Sequence, residues 1–208
     1  SNPYKDYGPE ELEEYLASSF KLESTPGEKY AYSNLGTGLL GYLLSLEARK
    51  NYETLLQEMI SEVYAMPSTT TVKDAITSRL VNGLNPEGKN TANWDMNVLV
   101  GAGGIYSSVE DLSQFALAQF NEKDSAIQLT QKENFRVNEN MQMGLGWHVL
   151  NRQNDKWLWH NGGTGGYSSS FTLNKSKRKG VIILSNVSAF NPNNNNIDQL
   201  CFALLKTL

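Results

Sequence analysis

The chain has 208 residues, 39% hydrophobic and 19% charged, and its 18 Lys and Arg against 22 Asp and Glu give a formal net charge of −4. That length buries a sizeable core within one domain, and the acidic balance excludes a basic surface for nucleic acid. No run approaches the roughly 18 apolar residues of a membrane span, residues 1–9 lack the apolar core of a secretion signal, and the one cysteine cannot close an internal disulfide.

Pro9-Glu10-Glu11-Leu12 reads as a helix start, since the fixed φ of proline and the dipole's positive end favour these residues in a first turn. Thr25-Pro26-Gly27-Glu28 breaks that helix and sets a turn before Tyr32. Residues 35–48 follow as a leucine-rich helix, expected to be buried, with Gly36, Gly38 and Gly41 marking close packing against a neighbour. Residues 52–64 read as a second, amphipathic helix. Residues 67–100 are polar, with turn signals at Asn82-Gly83 and Asn85-Pro86, and form an irregular excursion beside the mouth of a site.

Ser107-Ser108-Val109-Glu110 fits a capping box that opens a helix to about residue 120. Residues 142–151 and 156–160 are expected as strands. Residues 167–173 alternate and 180–184 are an apolar run, which predicts a hairpin with the basic run Lys175-Ser176-Lys177-Arg178-Lys179 as its solvated tip. After an asparagine-rich loop, the final helix, 197–208, places Ile197, Leu200, Cys201, Leu204, Leu205 and Leu208 on one stripe, with Cys201 a small core residue. Helices, then strands, then a closing helix predict an α+β fold with an antiparallel sheet flanked by helices. A single domain is expected over 1–208, helical over about 9–135 and sheet plus closing helix over about 140–208.

Chemistry concentrates in His160-Asn161-Gly162-Gly163-Thr164-Gly165-Gly166-Tyr167. A side chain able to transfer a proton or support an oxyanion is followed there by backbone that only glycine lets a substrate approach closely. Taken alone, the run also fits a glycine-rich turn between strands, with His160 satisfied by a carbonyl. Upstream, Tyr32-Ser33-Asn34 leads into the leucine-rich helix, where tyrosine also suits packing and Asn34 also suits a helix cap. Trp157 and Trp159 fit a cleft lining or the core, and His148, with no motif around it, reads as structural or exposed.

Together, Tyr32-Ser33-Asn34 and His160-Asn161-Gly162 resemble the second and third active-site motifs of the serine β-lactamase and penicillin-binding protein superfamily. The branch they resemble holds class C β-lactamases, D-alanyl-D-alanine peptidases and related esterases. The stretch from Gly101-Ala102-Gly103-Gly104 to Leu112 is similar to that family's glycine turn and next helix. Gly144-Leu145-Gly146-Trp147 and Val181-Ile182-Ile183-Leu184-Ser185-Asn186 are similar to its late strands, so the resemblance covers about residues 9–208. It implies a sheet with helices on both faces, and hydrolysis of a β-lactam, D-alanyl peptide or ester through a seryl acyl-enzyme.

Residue by residue, the resemblance implies Tyr32 as proton shuttle, Asn34 as hydrogen-bonder to the substrate amide, and His160 in the place of the family's lysine. The N–H of Gly163 becomes the oxyanion donor, and Asn161, Gly162 and Thr164 become substrate-binding residues. Asn161, where many members carry threonine or serine, departs from the pattern for binding a substrate carboxylate. The implied partner is a small-molecule or peptide substrate, without nucleic acid, cofactor or metal, since two histidines without a Cys or carboxylate cluster make no metal site. The implied compartment is periplasmic or extracellular in a bacterium.

The family's nucleophile sits in Ser-x-x-Lys at a helix start, where residues i and i+3 share a face. Ser18-Ser19-Phe20-Lys21 matches by letter but lies only 14 residues before Tyr32, and Ser176-Lys177-Arg178-Lys179 lies in the hairpin tip. Neither is assigned the role. The expectation is that the motif, its helix and the first sheet strands lie upstream of Ser1, that this chain alone is inactive, and that it self-associates through an exposed sheet edge. The competing reading is a non-catalytic module that holds a peptide or cell-wall fragment in the same cleft.

Overall fold

In the computed structural model, which describes residues 2–152, 155–193 and 195–208, the chain opens with α1 (Pro9–Ser18). Proline occupies its first turn, and the Glu11 carboxylate accepts from the Gly8 backbone N–H at 2.9 Å. Leu12 is fully buried and packs with Val98 and Leu99.

Ser33, not Asn34, caps α2 (Asn34–Ala48): its Oγ accepts from the Gly36 N–H at 2.9 Å. The expectation of a buried helix is corrected, because Leu40, Leu43, Leu44 and Leu46 are each more than half exposed. The buried positions are Gly38 and Gly41, which face the 3₁₀ segment Asn97–Ala102. A Cβ at Gly38 would lie 2.6 Å from Leu99 Cδ2, and one at Gly41 would lie 2.9 Å from Tyr52 Cε2. A Cβ on Gly36 would meet only Ser33. Leucine content says that a helix is apolar, but the smallest residues decide which face a neighbour approaches.

The expected second helix appears as α3 (Tyr52–Leu56) running into a π-helical turn, Gln57–Ser61. Residues 67–100 form the expected excursion with isolated bridges Thr70↔Tyr106, Leu84↔Asn90 and Leu84↔Val187, but they also hold 3₁₀ turns at Lys73–Ile76 and from Asn97 that the reading did not include. Glu53 of α3 fastens the start of this excursion, accepting from Gln57 Nε2, Thr70 Oγ1, and both the N–H and Oγ1 of Thr71 at 2.6–2.7 Å. Burial pushes its carboxyl up, but these hydrogen bonds outweigh it and hold the pKa below the ordinary value.

Next come α4 (Val109–Ala118) and α5 (Ser125–Gln131). Ser108 caps α4 by accepting from the Asp111 N–H, one residue later than the box read from Ser107 and Glu110. Asp111 is buried and accepts from the Ser68 N–H and Thr69 Oγ1 at 2.7 and 2.8 Å. The sheet holds β1 (Phe135–Asn138), β2 (Met141–Met143), β3 (His148–Arg152), β4 (Asp155–Gly163), β5 (Ser168–Asn174) and β6 (Lys179–Ser185). They lie in sequence order, each antiparallel to the next. The one strand expected over 142–151 is split at Gly144-Leu145-Gly146, where Gly146 takes a φ of +86° that disfavours other residues.

α6 (Asn195–Thr207) closes the chain. Strand alternation gives the sheet two covered faces: Leu158 and Leu173 join Ala116 and Phe120 on one side, and Trp157 meets Leu205 on the other. Trp157 is therefore core. The predicted stripe of α6 divides, with Cys201 and Leu205 buried and Leu200, Leu204 and Leu208 exposed. Among the described residues, no helix is long and apolar enough to cross a membrane.

Candidate functional site

β4 outruns β3. Pairing between them stops at His148↔Trp159, whereas pairing with β5 continues from His160↔Phe171 to Gly163↔Ser168. Residues 160–163 thus project past β3 with one flank of the strand beyond the end of that ladder. Glycine at this end has a packing cause as well as a chemical one. A side chain on Gly163 would strike the Ala189 methyl, and one on Gly162 would come within 2.8 Å of Ser169 Oγ. Thr164 works in the turn that follows, its Oγ1 accepting from the N–H groups of Gly166 and Tyr167 at 3.3 and 3.1 Å.

His160 is half-buried, and its Nδ1 lies 2.7 Å from the Asn161 carbonyl oxygen. A carbonyl only accepts, so Nδ1 carries the proton and Nε2 is the lone-pair nitrogen. Burial pushes the imidazole below its ordinary pKa, and the Asn161 carbonyl pulls it part of the way back. Asn161 turns to the opposite face, where its amide donates to Asp198 of α6 at 2.8 Å. The Trp159 indole N–H reaches the other oxygen of the same carboxylate at 3.4 Å.

Tyr32 and Asn34 stand where the loop enters α2, and both are exposed. The Asn34 amide donates to Tyr4 Oη at 3.3 Å. What joins this segment to β4 is a pair that the motifs did not signal. Tyr30 Oη lies 3.0 Å from His148 Nε2, and the His148 ring centroid lies 5.5 Å from that of His160. Of the two readings of His148, structural or exposed, burial leaves the first: it is 6% exposed, with its ring beside that of His160. The one available signal was the spacing Tyr30-Ala31-Tyr32, which puts two phenols on one side of an extended segment.

The excursion backs the turn after the motif. Tyr167 Oη donates to the Val81 carbonyl at 2.5 Å, the Leu84 N–H donates to the Gly166 carbonyl at 3.2 Å, and a Cβ on Gly165 would lie 2.8 Å from Trp94 Nε1. Neither serine string has the required setting. Ser18 ends α1 and donates to the Glu14 carbonyl at 2.7 Å, so Lys21 falls beyond the helix. Ser176 donates to Asp155 from the β5–β6 turn. Among the described residues, no group of three or more His, Cys, Asp or Glu is placed to hold a metal ion.

The histidines set an acid dependence of stability. His148 is also held below its ordinary pKa, by burial first and by charge on His160 second. The unfolded chain, with histidines near 6.5, therefore binds more protons than the folded one as pH falls below that value, and stability must fall. Melting temperature at constant ionic strength is expected to drop as pH falls below about 6.5. The contribution of Glu53, whose pKa is lowered in the fold, is lost in a separate window at lower pH. In the double variant His148→Gln/His160→Gln the first decline disappears; a decline of the same size in that variant would place its origin elsewhere.

A profile of the family described as Beta-lactamase matches residues 1–203. Protein flp of Staphylococcus aureus (strain MW2) is 24% identical over 183 residues, which covers 81% of this chain and 36% of that protein. The D-alanyl-D-alanine-carboxypeptidase/endopeptidase AmpH of Escherichia coli (strain K12) is 30% identical over 105 residues, 49% of this chain and 26% of its own. A solved beta-lactamase/D-alanine carboxypeptidase from Pseudomonas syringae has the same fold, with a TM-score of 0.81 at 20% identity over 96% of this chain and 65% of its own. The chain therefore spans about a third of the length of the first of these curated relatives and about two thirds of the solved structure.

Proposed function

This chain belongs to the Beta-lactamase family, and from that premise we propose that it carries the second and third motifs of a serine hydrolase that cleaves an amide, lactam or ester through an acyl-enzyme. The observation that carries the reading is the geometry at His160: Nδ1 lies 2.7 Å from the Asn161 carbonyl oxygen, which leaves Nε2 as the lone-pair nitrogen, and burial holds the imidazole below its ordinary pKa.

In the proposed reaction the acylating serine oxygen bonds to the substrate carbonyl carbon as its proton leaves. Tyr32 carries that proton towards the leaving group, and His160 Nε2 accepts and returns it. The bond to the leaving group then breaks, and water hydrolyses the acyl-serine by the same route in reverse. The Gly163 N–H is assigned to the developing oxyanion, where one preorganised donor contributes roughly 3–4 kcal/mol. Asn34 is assigned to the substrate amide, and Asn161, Gly162 and Thr164 to the facing wall. The compartment proposed is periplasmic or extracellular.

Ser18 and Ser176 are given no part in this chemistry; the acylating serine is assigned to sequence outside the 65% of the solved structure that this chain spans. The test is intact mass after incubation with a fluorophosphonate and, separately, a penicillin, with any adduct mapped by digestion. This chain is expected to stay unmodified, and a form extended to the length of its relatives is expected to gain one adduct on a Ser-x-x-Lys serine. An adduct on Ser18 would overturn the assignment of the nucleophile. An extended form that stays unlabelled would sink the hydrolase reading and favour a non-catalytic binding module.

A further inference from the structure

The chain holds two imidazoles, and they lie side by side. His148 opens β3 and pairs with Trp159, the residue before His160, with its ring 4.9 Å from the Trp159 ring. On its other side it meets Tyr30, edge to face at 6.2 Å and 74°, with Nε2 3.0 Å from the phenol oxygen. These partners are 118 residues apart in sequence. Tyr30 itself stands two residues before Tyr32 in the extended segment that enters α2.

We propose that Tyr30 and His148 form a positioning pair whose hydrogen bond ties the segment bearing Tyr32 and Asn34 to the start of β3, where His148 lies against the strand bearing His160. The use made of His160 rests on the hydrolase reading; the pairing itself does not. Packing alone explains it poorly, because burying an imidazole costs desolvation that an aliphatic residue would avoid. The His148 Nδ1 is buried without a well-formed partner, so the ring keeps one good hydrogen bond, and that bond is spent on the other motif segment.

The charges around the pair fit a relay that holds one proton at a time. His148 faces Tyr30 from the entry to α2, and His160 and the Trp159 backbone from β4. Asp198 of α6 is held on the indole of Trp159. Burial and charge on His160 both disfavour a second cation on His148, while the Trp159 backbone favours one. Rings this close titrate as a coupled pair, in which a proton on one disfavours a proton on the other. The Trp159 backbone beside His148 favours the tautomer with its proton on Nδ1, in which Nε2 accepts from the Tyr30 hydroxyl; in the charged ring Nε2–H would donate to the Tyr30 oxygen instead.

The experiment is a pH titration of the ring nitrogens by long-range proton–nitrogen correlation on the ¹⁵N-labelled chain, where two imidazoles make assignment direct. It compares the wild type with Tyr30→Phe, which keeps the ring contact and loses only the hydroxyl, and with His160→Gln. The neutral wild-type His148 is expected in one tautomer, proton on Nδ1. Tyr30→Phe should shift its tautomer ratio by about two- to tenfold, the effect of losing one ordinary hydrogen bond, and displace the titration of His160. His160→Gln should raise the midpoint of His148. A His160 curve superimposable on wild type in Tyr30→Phe, with the His148 tautomer unchanged, would overturn the pair. No substrate is involved, so a displaced curve in a protein that never labels would keep the pair and discard the hydrolase.

Discussion

In the form of the protein that acylates, His160→Ala is expected to lower kcat by about 10²–10⁴-fold, which is about 3–5.5 kcal/mol of barrier. In the proposed mechanism the side chain acts through Nε2, because Nδ1 is engaged by the Asn161 carbonyl at 2.7 Å. Alanine removes that base and leaves the backbone pairing of β4 with β5 intact. The loss should therefore fall on kcat, with KM nearly unchanged, and steady-state kinetics on one neutral ester is the measurement. A kcat within about threefold of wild type would remove His160 from the proton relay and leave it as a strand residue satisfied by a carbonyl, since losing a general base costs far more than that.

Leu158→Ala is expected to cost about 2–5 kcal/mol of folding stability. Leu158 is 1% exposed and packs in the cluster formed with Trp147, Val149 and Leu173 of the sheet region and Ala116 and Phe120 from around α4. The site cannot close around a smaller side chain, because β4 is paired on both sides at this point, to Val149 and to Leu173. The cavity would persist and the cost should fall in the upper part of the range. Urea unfolding should show a lower midpoint with an unchanged slope. A cost below about 1 kcal/mol would mean that the two strands or α4 can shift inward, against the close packing of the cluster.

How far the sequence could be read depended on the length over which each signal repeats. The β5–β6 hairpin and its basic tip were legible because alternation over 167–173 and the run at 180–184 flank a turn rich in lysine. The helix after Ser108 was legible from its cap, though Ser108 instead of Ser107 is the capping residue and the Asp111 carboxylate turns to Ser68 and Thr69 instead of closing a box. α5 and β1 went unread because seven and four residues carry too little periodicity to stand out. The strand break at 144–146 was hidden because apolar residues flank it, while a positive φ at Gly146 is a backbone property. The candidate site was legible as two local motifs, since each is contiguous. The Tyr30–His148 contact was not, because a hydrogen bond across 118 residues leaves no local pattern.

Residues 67–100 look like slack chain, yet they are stitched down at both ends and in the middle. Glu53 and Asp111 hold residues 68–71, and Val81 and Leu84 are bonded to the turn beyond the His160 strand. Between these fasteners lies a short bend, where Asn85 gathers the N–H groups of Glu87 and Lys89, Gly88 takes a φ of +76°, and the Pro86 carbonyl accepts from Asn191 Nδ2 at 3.2 Å as the one tie to the rest of the fold that the bend shows among the described residues. Each stitch divides one long loop into small ones, so most of the ordering entropy is met where the fasteners sit. Lineages of this protein are thus free to lengthen, shorten or recharge the bend without disturbing the sheet. Drift in length should collect there, on the wall that stands beside the motif turn, and under the proposed function this corner is where a new substrate preference can arise while the strand bearing His160 stays as it is.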